Sequence, residues 1–338
     1  MSELLSKLEV FLVENDQNTE ISPLTQDAST REYFRINWNG ISAIACVYPF
    51  NDLCKGQFDA CLDVTNVFLK AELPVAQIIA FDKKNQIIIH EDFGDKILRD
   101  FLQNSNDETR DEFLDESIKL IAKIQAATPL AFELDSIASK LKFDSEKLLW
   151  ELNFFKEHYF TSLLKKPLSD EIESSLNAEF SDLADELKKK AKVLTHRDFH
   201  AANLMLDENN SLHIIDHQDA RIGVASYDLV SLLLDRVTVL PTPEWLAEKR
   251  IYFLNEREKL GLEKINEAEF TNEFRLQTIQ RCLKAIGTFS FQSTFRGKTY
   301  FLPFIKPMFE IVLRAAENLN KFPTLQKIIG VQINENLT

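Results

Sequence analysis

The chain has 338 residues, 45% apolar and 27% charged, with 53 acidic side chains against 39 basic ones and a formal net charge of −14. An apolar share of this size excludes wholesale disorder. No run approaches the ~20 consecutive apolar residues that a membrane-spanning helix needs. The acidic balance argues against a general nucleic-acid binder, whose affinity rests on neutralising phosphates, while leaving room for a basic pocket around a small molecule. At ~150 residues per domain the length fits two compact units or one two-lobed enzyme. Cys46, Cys54, Cys61 and Cys282 form no CxxC pair and no disulfide framework, which points to a reducing, cytoplasmic setting.

Met1 to Glu14 alternates Leu5, Leu8, Phe11 and Leu12 with Glu3, Lys7 and Glu9, an amphipathic helix rather than a signal peptide. Tyr33–Trp38 and Ile41–Val47 are strand-like runs about Asn39-Gly40, the dipeptide favoured in type I′ hairpins. Gln57 to Ala71 reads as a helix ended before Pro74. Gln86 to His90 is a buried-strand candidate leading into Glu91-Asp92-Phe93-Gly94. Beyond this point helical periodicity dominates, as in the stripes Leu148, Leu149, Leu152, Phe155 and Phe274, Ile279, Leu283, Ile286. The expectation is an α+β chain with a strand-rich start and a helix-rich remainder. One short strand pair interrupts the helices.

That interruption carries the chemistry. Leu204–Leu206 and Leu212–Ile215 flank the turn formers Asp207-Glu208-Asn209-Asn210. Paired antiparallel, they place Asn203 and Asp216 at one end of a hairpin, with Asp198 on the loop entering it. An amide oxygen and carboxylates grouped in this way are hard ligands suited to Mg²⁺ shared with a substrate's phosphates.

His196-Arg197-Asp198-Phe199-His200-Ala201-Ala202-Asn203, followed by Asp216, resembles the H-x-D-x-x-x-x-N catalytic loop and metal aspartate of the protein-kinase-like superfamily. His200, two residues after Asp198, is similar to the aminoglycoside phosphotransferases and related small-molecule kinases. The stretch from Asp216 to Asp228 is too short for a long phosphorylatable activation segment, and no Ala-Pro-Glu follows. Further along the chain, Gln26–Arg35, His90–Gly94, Ile215–Ala220, Tyr227–Leu233 and Gln280–Lys284 resemble segments of bacterial cell-wall sugar 1-kinases, the N-acetylmuramate/N-acetylglucosamine kinases.

The resemblance implies a two-lobed protein-kinase-like fold, with residues 1–93 as a small strand-rich N-lobe that binds ATP. Residues 94–338 would form the larger helical C-lobe. It implies ATP and Mg²⁺ as cofactors, Asp198 as the catalytic group facing the acceptor hydroxyl, and Asn203 and Asp216 as metal ligands. Ser29, Thr30, Glu91 and Phe93 would bind the nucleotide. His196, Arg197, His200 and Asp228 would support the catalytic loop, and His217, Gln218 and Asp219 would contact the sugar. The implied reaction moves the γ-phosphoryl of ATP to the anomeric hydroxyl of an amino sugar in peptidoglycan recycling. The partner is then a small sugar, with no nucleic acid, membrane or obligate protein partner.

The sequence departs from the common kinase pattern at two places. Asp27-Ala28-Ser29-Thr30 stands where a glycine-rich phosphate loop is usual, and strand Ile41–Val47 has no lysine to pair with the phosphates. Arg31, Arg35 and Lys55 are the candidates for that charge. Two other readings stay open: an aminoglycoside, choline or other amino-alcohol kinase, and a pseudokinase that binds nucleotide without catalysis.

Overall fold

The computed structural model describes residues 2–24, 31–51, 54 and 56–334. In chain order, helix α1 (Glu3–Glu14) precedes strands β1 (Ile21–Pro23), β2 (Glu32–Trp38) and β3 (Ile41–Val47), then α2 (Gln57–Lys70), β4 (Ile78–Asp82), β5 (Ile87–Glu91) and β6 (Lys96–Ile97). Helices α3 (Leu98–Gln103), α4 (Asp107–Ala126), α5 (Thr128–Glu133), α6 (Ile137–Lys140), α7 (Ser145–Lys156) and α8 (Asp170–Lys190) follow. Strands β7 (Val193–Thr195), β8 (Leu204–Leu206), β9 (Leu212–Ile214) and β10 (Arg221–Gly223) lead to α9 (Tyr227–Leu233), α10 (Pro243–Lys259), α11 (Glu267–Arg296), α12 (Ile305–Leu319) and α13 (Pro323–Asn334). No helix of the described residues is long and apolar enough to cross a membrane.

Packing divides the chain into two compact units. The first comprises Met1–Asp111, Pro129–Lys140 and Ala201–Ala220; the second comprises Glu112–Thr128, Leu141–His200 and Arg221–Thr338.

The first unit is built on a five-stranded antiparallel sheet in the order β1-β2-β3-β5-β4. Asn39 and Gly40 both adopt positive φ (51° and 86°), so the hairpin turns between Trp38 and Ile41 in the way Asn-Gly favours. Alternation along the strands gives the sheet two apolar faces. Phe34, Ile36, Ala43, Ala45, Ile87 and Ile89 pack with Leu8, Phe11 and Leu12 of α1 on one face. Cys46, Tyr48 and Ile88 pack with Phe58 and Cys61 of α2 on the other. Asp63 of α2 caps α6, accepting from the Ser136 hydroxyl and the Ile137 amide.

The β8–β9 hairpin belongs to this unit because β8 pairs with β6 and the Ile214 amide donates to the Pro74 carbonyl at 2.7 Å. Its turn is held by Asp207, whose Oδ1 accepts from the Asn209 and Ser211 amides at 2.8 Å each. Asn210 takes the left-handed conformation there, with φ 59°.

In the second unit the long helix α11 packs against α7, α9 and α12. The approach of α11 to α7 is set by Gly287. A Cβ there would lie 2.7 Å from the Phe155 Cα and 2.9 Å from its amide nitrogen, so only glycine lets the two backbones come this close. Strands β7 and β10 pair antiparallel, and Lys142 bridges Ile222 beside them.

Candidate active site

The candidate side chains fall into two groups, one in each unit. In the first unit, the Ile215 amide donates to the Asn203 carbonyl at 3.1 Å, which extends the β8–β9 pairing and puts Asn203 and Asp216 at the same end of the hairpin. Asp216 is left-handed, with φ 62°, a conformation that costs a non-glycine residue energy and clusters at functional sites. Its Oδ1 accepts from Arg31 Nη2 at 2.8 Å and from Gln218 Nε2 at 3.0 Å. Arg31 is buried, and its guanidinium lies 5.6 Å from the Tyr33 ring and 5.8 Å from the Tyr48 ring.

Arg35 and Lys55 are the other candidates for the charge of the missing strand lysine. Arg35 is committed to the start of the Asp92–Asp95 turn: Nε to Asp92 Oδ2 at 2.7 Å, Nη2 to Asp95 Oδ1 at 2.8 Å and to the Gly94 carbonyl at 3.2 Å. Lys55 lies outside the described residues, as do Ser29 and Thr30 of the expected nucleotide site. Asp92, which also accepts from Ser42 Oγ at 2.6 Å, is thereby an anchor for the turn after β5. Burial alone would raise the Asp92 carboxyl; Arg35, Ser42 and the Gly94 amide outweigh it and hold the group below the ordinary range. Of the remaining nucleotide candidates, the Glu91 amide donates to the Gln77 carbonyl at 3.0 Å, and the Phe93 ring stacks on His213 with centroids 3.8 Å apart.

His217 is buried, stacked on Phe68 at 5.2 Å, with Nε2 2.7 Å from Thr65 Oγ1. Gln218 turns back onto Asp216, and Asp219 is half-buried. Asn203 and Asp216 together offer hard oxygen donors. No group of three or more His, Cys, Asp or Glu side chains among the described residues forms a cage. Such a pair fits Mg²⁺, which takes one or two protein oxygens and completes its shell with phosphate and water.

In the second unit, His196 and Arg197 are gripped by Asp228, near the start of α9. Its Oδ2 accepts from the His196 amide at 2.7 Å and its Oδ1 from the Arg197 amide at 3.0 Å. Two amides held by one carboxylate fix the loop backbone and stabilise Arg197 in a left-handed conformation, φ 84°. Asp228 is fully buried, and burial pushes its carboxyl up to about 7 against the pull of those two amides. His196 is fully buried with its ring edge-on to Phe199 at 5.6 Å, and the His200 amide donates to the Asp198 carbonyl at 3.1 Å. Burial lowers the His200 imidazole below its ordinary value.

Asp198 itself is surrounded by cations. Lys284 Nζ lies 3.2 Å from its Oδ1, Arg281 Nη2 3.6 Å from the same oxygen, and Arg197 Nε 3.8 Å from Oδ2. Burial alone would raise its carboxyl; Lys284, Arg197, Arg281 and His200 outweigh it and hold the group well below the usual carboxylate range. Lys284 and Arg281 come from α11, and neither was marked by the sequence as a contact of Asp198. The signal lay in the helix itself, where the buried Gln277, Gln280 and Arg281 and the half-buried Lys284 interrupt a largely apolar stretch. Buried polar residues on a core helix need partners.

A family model described as the phosphotransferase enzyme family matches residues 20–262, well over half of the chain. The chain belongs to that family. It is 26% identical over 322 residues to an N-acetylmuramate/N-acetylglucosamine kinase of Neisseria meningitidis serogroup B, covering 93% of this chain and 92% of that protein. It is 27% identical over 320 residues to a protein of the same name from Pseudomonas aeruginosa, covering 92% of this chain and 88% of that one. Among solved structures, the ADP-bound aminoglycoside phosphotransferase APH(2'')-Ib superposes with a TM-score of 0.57 at 15% identity, over 93% of this chain and 98% of that one. The fold is thus the protein-kinase-like one expected from the sequence, with a strand-rich N-terminal sheet and a larger helical C-terminal part. This family member is a small-molecule kinase, a phosphotransferase with a hydroxyl group as acceptor.

Proposed function

We propose that the protein transfers the γ-phosphoryl group of ATP to the anomeric hydroxyl of an amino sugar, such as N-acetylmuramate or N-acetylglucosamine, recovered from peptidoglycan. The named relatives support the sugar, and the ADP-bound neighbour supports the nucleotide. The observation that carries the choice of acceptor is the charge around Asp198. Lys284, Arg281 and Arg197 lie between 3.2 and 3.8 Å from its carboxylate. A setting this cationic suits a neutral or carboxylate-bearing sugar and repels the ammonium groups of an aminoglycoside or of choline.

In this reading residues 1–93 grip ATP and residues 94–338 supply the catalytic loop and the acceptor side. Asp198 accepts the hydrogen bond of the sugar hydroxyl, orients its oxygen toward the γ-phosphorus and takes its proton as the new P–O bond forms. The bond from the γ-phosphorus to the bridging oxygen breaks, and ADP leaves with that electron pair. An anomeric hydroxyl is more acidic than an ordinary alcohol, so an aspartate held strongly ionised is base enough. Asn203 and Asp216 would hold Mg²⁺, which when bound offsets charge on the phosphates. Arg31, fixed to Asp216 and braced by two tyrosine rings, supplies the positive charge that the strand lysine gives elsewhere. Ser29, Thr30, Glu91 and Phe93 belong to the nucleotide side; His217, Gln218 and Asp219 belong to the sugar side. Four buried cysteines with no CxxC pair among them, and the use of ATP, suit a cytoplasmic setting.

The test is an ATP-consumption screen over N-acetylmuramate, N-acetylglucosamine, kanamycin and choline, with NMR of the product. Turnover of the N-acetyl sugars and a phosphorus coupling to the anomeric proton support the reading. Turnover confined to the cationic compounds overturns it, and loss of activity after Mg²⁺ chelation that Mg²⁺ restores supports the metal assignment.

A further inference from the structure

Lys284 is a half-buried ammonium with two carboxylates about it. Its Nζ donates to Asp198 Oδ1 at 3.2 Å and lies 3.9 Å from Glu151 Oε1. Glu151 is fully buried on α7, and α11 holds it a second time, because Gln280 Nε2 donates to its Oε2 at 2.7 Å. Gln280 is in turn fixed by Gln277, whose Nε2 donates to its Oε1 at 2.9 Å. Gln280 and Lys284 are one turn apart on α11, so both reach the same carboxylate from the same face. The Gly287–Phe155 approach lies one turn further along both helices and sets their separation.

This arrangement is costly unless it is used. Burial lowers the Lys284 ammonium below its ordinary value even with both carboxylates beside it. Glu151 Oε1 makes no hydrogen bond, although Lys147 and Lys284 each lie 3.9 Å away. Buried ion pairs of this kind seldom add net stability, and well-packed apolar residues would do as well. A structural role alone gives no reason to aim the ammonium at the one carboxylate that faces the acceptor.

We propose that Lys284 is a positioning residue for phosphoryl transfer: its ammonium holds the Asp198 carboxylate in the orientation that receives the acceptor hydroxyl, and Glu151 holds the ammonium in place. The inference rests on the reading of Asp198 as the acceptor-facing group. The charged and titratable groups around Asp198 are Arg197 and His200 on its own loop, Lys284 and Arg281 on α11, and Tyr227 and Asp228 on α9. Of Lys284, Arg281 and Arg197, Lys284 comes nearest to the carboxylate, at 3.2 Å against 3.6 and 3.8 Å. Removing it frees the carboxylate to rotate and leaves Asp198 easier to protonate.

The experiment measures kcat, KM for ATP and the pH profile of kcat/KM, with N-acetylglucosamine and N-acetylmuramate as acceptors. The variants are Lys284→Met, Lys284→Arg, Glu151→Gln and Asp198→Asn. Lys284→Met is expected to lower kcat by about 10²-fold with KM for ATP within a few-fold of the parent, since a lost positioning contact acts on the reacting geometry. The acidic limb of its profile is expected to move to higher pH by about one unit, as a carboxylate that loses its nearest cation does. Lys284→Arg should recover part of the rate and return the limb towards the parent. Glu151→Gln should fall between parent and Lys284→Met. If Lys284→Met does not fold, as judged by thermal melting, the Lys284→Arg and Glu151→Gln profiles decide the matter by the same shift. Profiles that superimpose on the parent's overturn the inference, as does a loss of rate without any shift of the limb. Full activity of Asp198→Asn would instead overturn the reading of Asp198, a separate result.

Discussion

Lys284 Nζ stands 3.2 Å from Asp198 Oδ1, joining the middle of α11 to the loop after β7. The contact links a residue on a helix that reads as core to the residue whose motif is plainest in the chain. It explains why Asp198 stays ionised although burial opposes its charge. With Arg281 and Arg197 it also makes the surroundings of Asp198 cationic.

Asp228 is predicted to matter through the loop backbone and not through the reactants. Asp228→Asn replaces one acceptor oxygen by an NH₂ group facing an amide donor, so one of the two loop hydrogen bonds is lost and a buried polar clash takes its place. The expected cost is about 1–3 kcal/mol of folding stability, read by chemical denaturation. Turnover should fall as well, since Arg197 loses the restraint on its left-handed backbone. Unchanged stability and turnover would remove Asp228 from the loop-bracing role.

Arg31 and Arg35 offer a paired test of the nucleotide side. Arg31→Gln is predicted to raise KM for ATP at least about tenfold, because a charge-assisted contact of this kind is worth ~1.5–3 kcal/mol. Arg35→Gln is predicted to act on stability, since its guanidinium is spent on Asp92, Asp95 and the Gly94 carbonyl. Steady-state kinetics and thermal melting of both variants separate the two. A rise in KM for ATP with Arg35→Gln and none with Arg31→Gln would reverse the assignment.

Gly287→Ala should destabilise the fold by about 1–3 kcal/mol through overpacking. The added Cβ would meet the Phe155 backbone at 2.7 Å, and a backbone cannot swing aside as a flexible side chain does. The variant should melt at a lower temperature and lose turnover, because α11 carries Lys284 and Arg281. A melting temperature equal to the parent's would mean that α7 and α11 separate at no cost.

Much of the fold was legible because local chemistry and tertiary packing agree. Asn39-Gly40 marks the hairpin turn, the apolar periodicity of Glu3–Glu14 marks α1, and Asp207–Asn210 marks the turn that brings Asn203 and Asp216 to one end of β8–β9. The motif from His196 to Asn203 was readable for the same reason, since its residues sit on one short segment. The contacts of Asp198 were not. Lys284 and Glu151 are far from it in sequence, and helical spacing reports which residues share a face, not which distant loop that face meets. Likewise, Arg31, Arg35 and Lys55 were equal candidates for the charge of the strand lysine, because spacing does not report that Arg35 meets Asp92 and Asp95 while Arg31 meets Asp216. The strands β7 and β10 are as short as β8 and β9 but have no close cluster of turn formers joining them, so nothing local marks them as a pair.

His90, on β5, gives a pH prediction. Burial first, then the nearby Arg31, lower its imidazole from 6.5 to about 4, so it is neutral in the folded protein where the unfolded chain would be protonated. A histidine with a depressed folded value adds stability above pH 6.5, and that stability is lost as the pH falls from 6.5 towards 4. The loss is at most about 3 kcal/mol. Denaturation of His90→Gln across this window should show a flatter acid limb than the parent. Parallel limbs would show that other groups carry the acid sensitivity.

The most direct test is a single-turnover measurement of phosphoryl transfer from Mg²⁺-ATP to N-acetylglucosamine by the parent and by Asp198→Asn, with nucleotide binding followed by calorimetry. The account predicts that the variant binds Mg²⁺-ATP within a few-fold of the parent while transfer falls by about 10³-fold. Transfer at the parental rate by Asp198→Asn would contradict it.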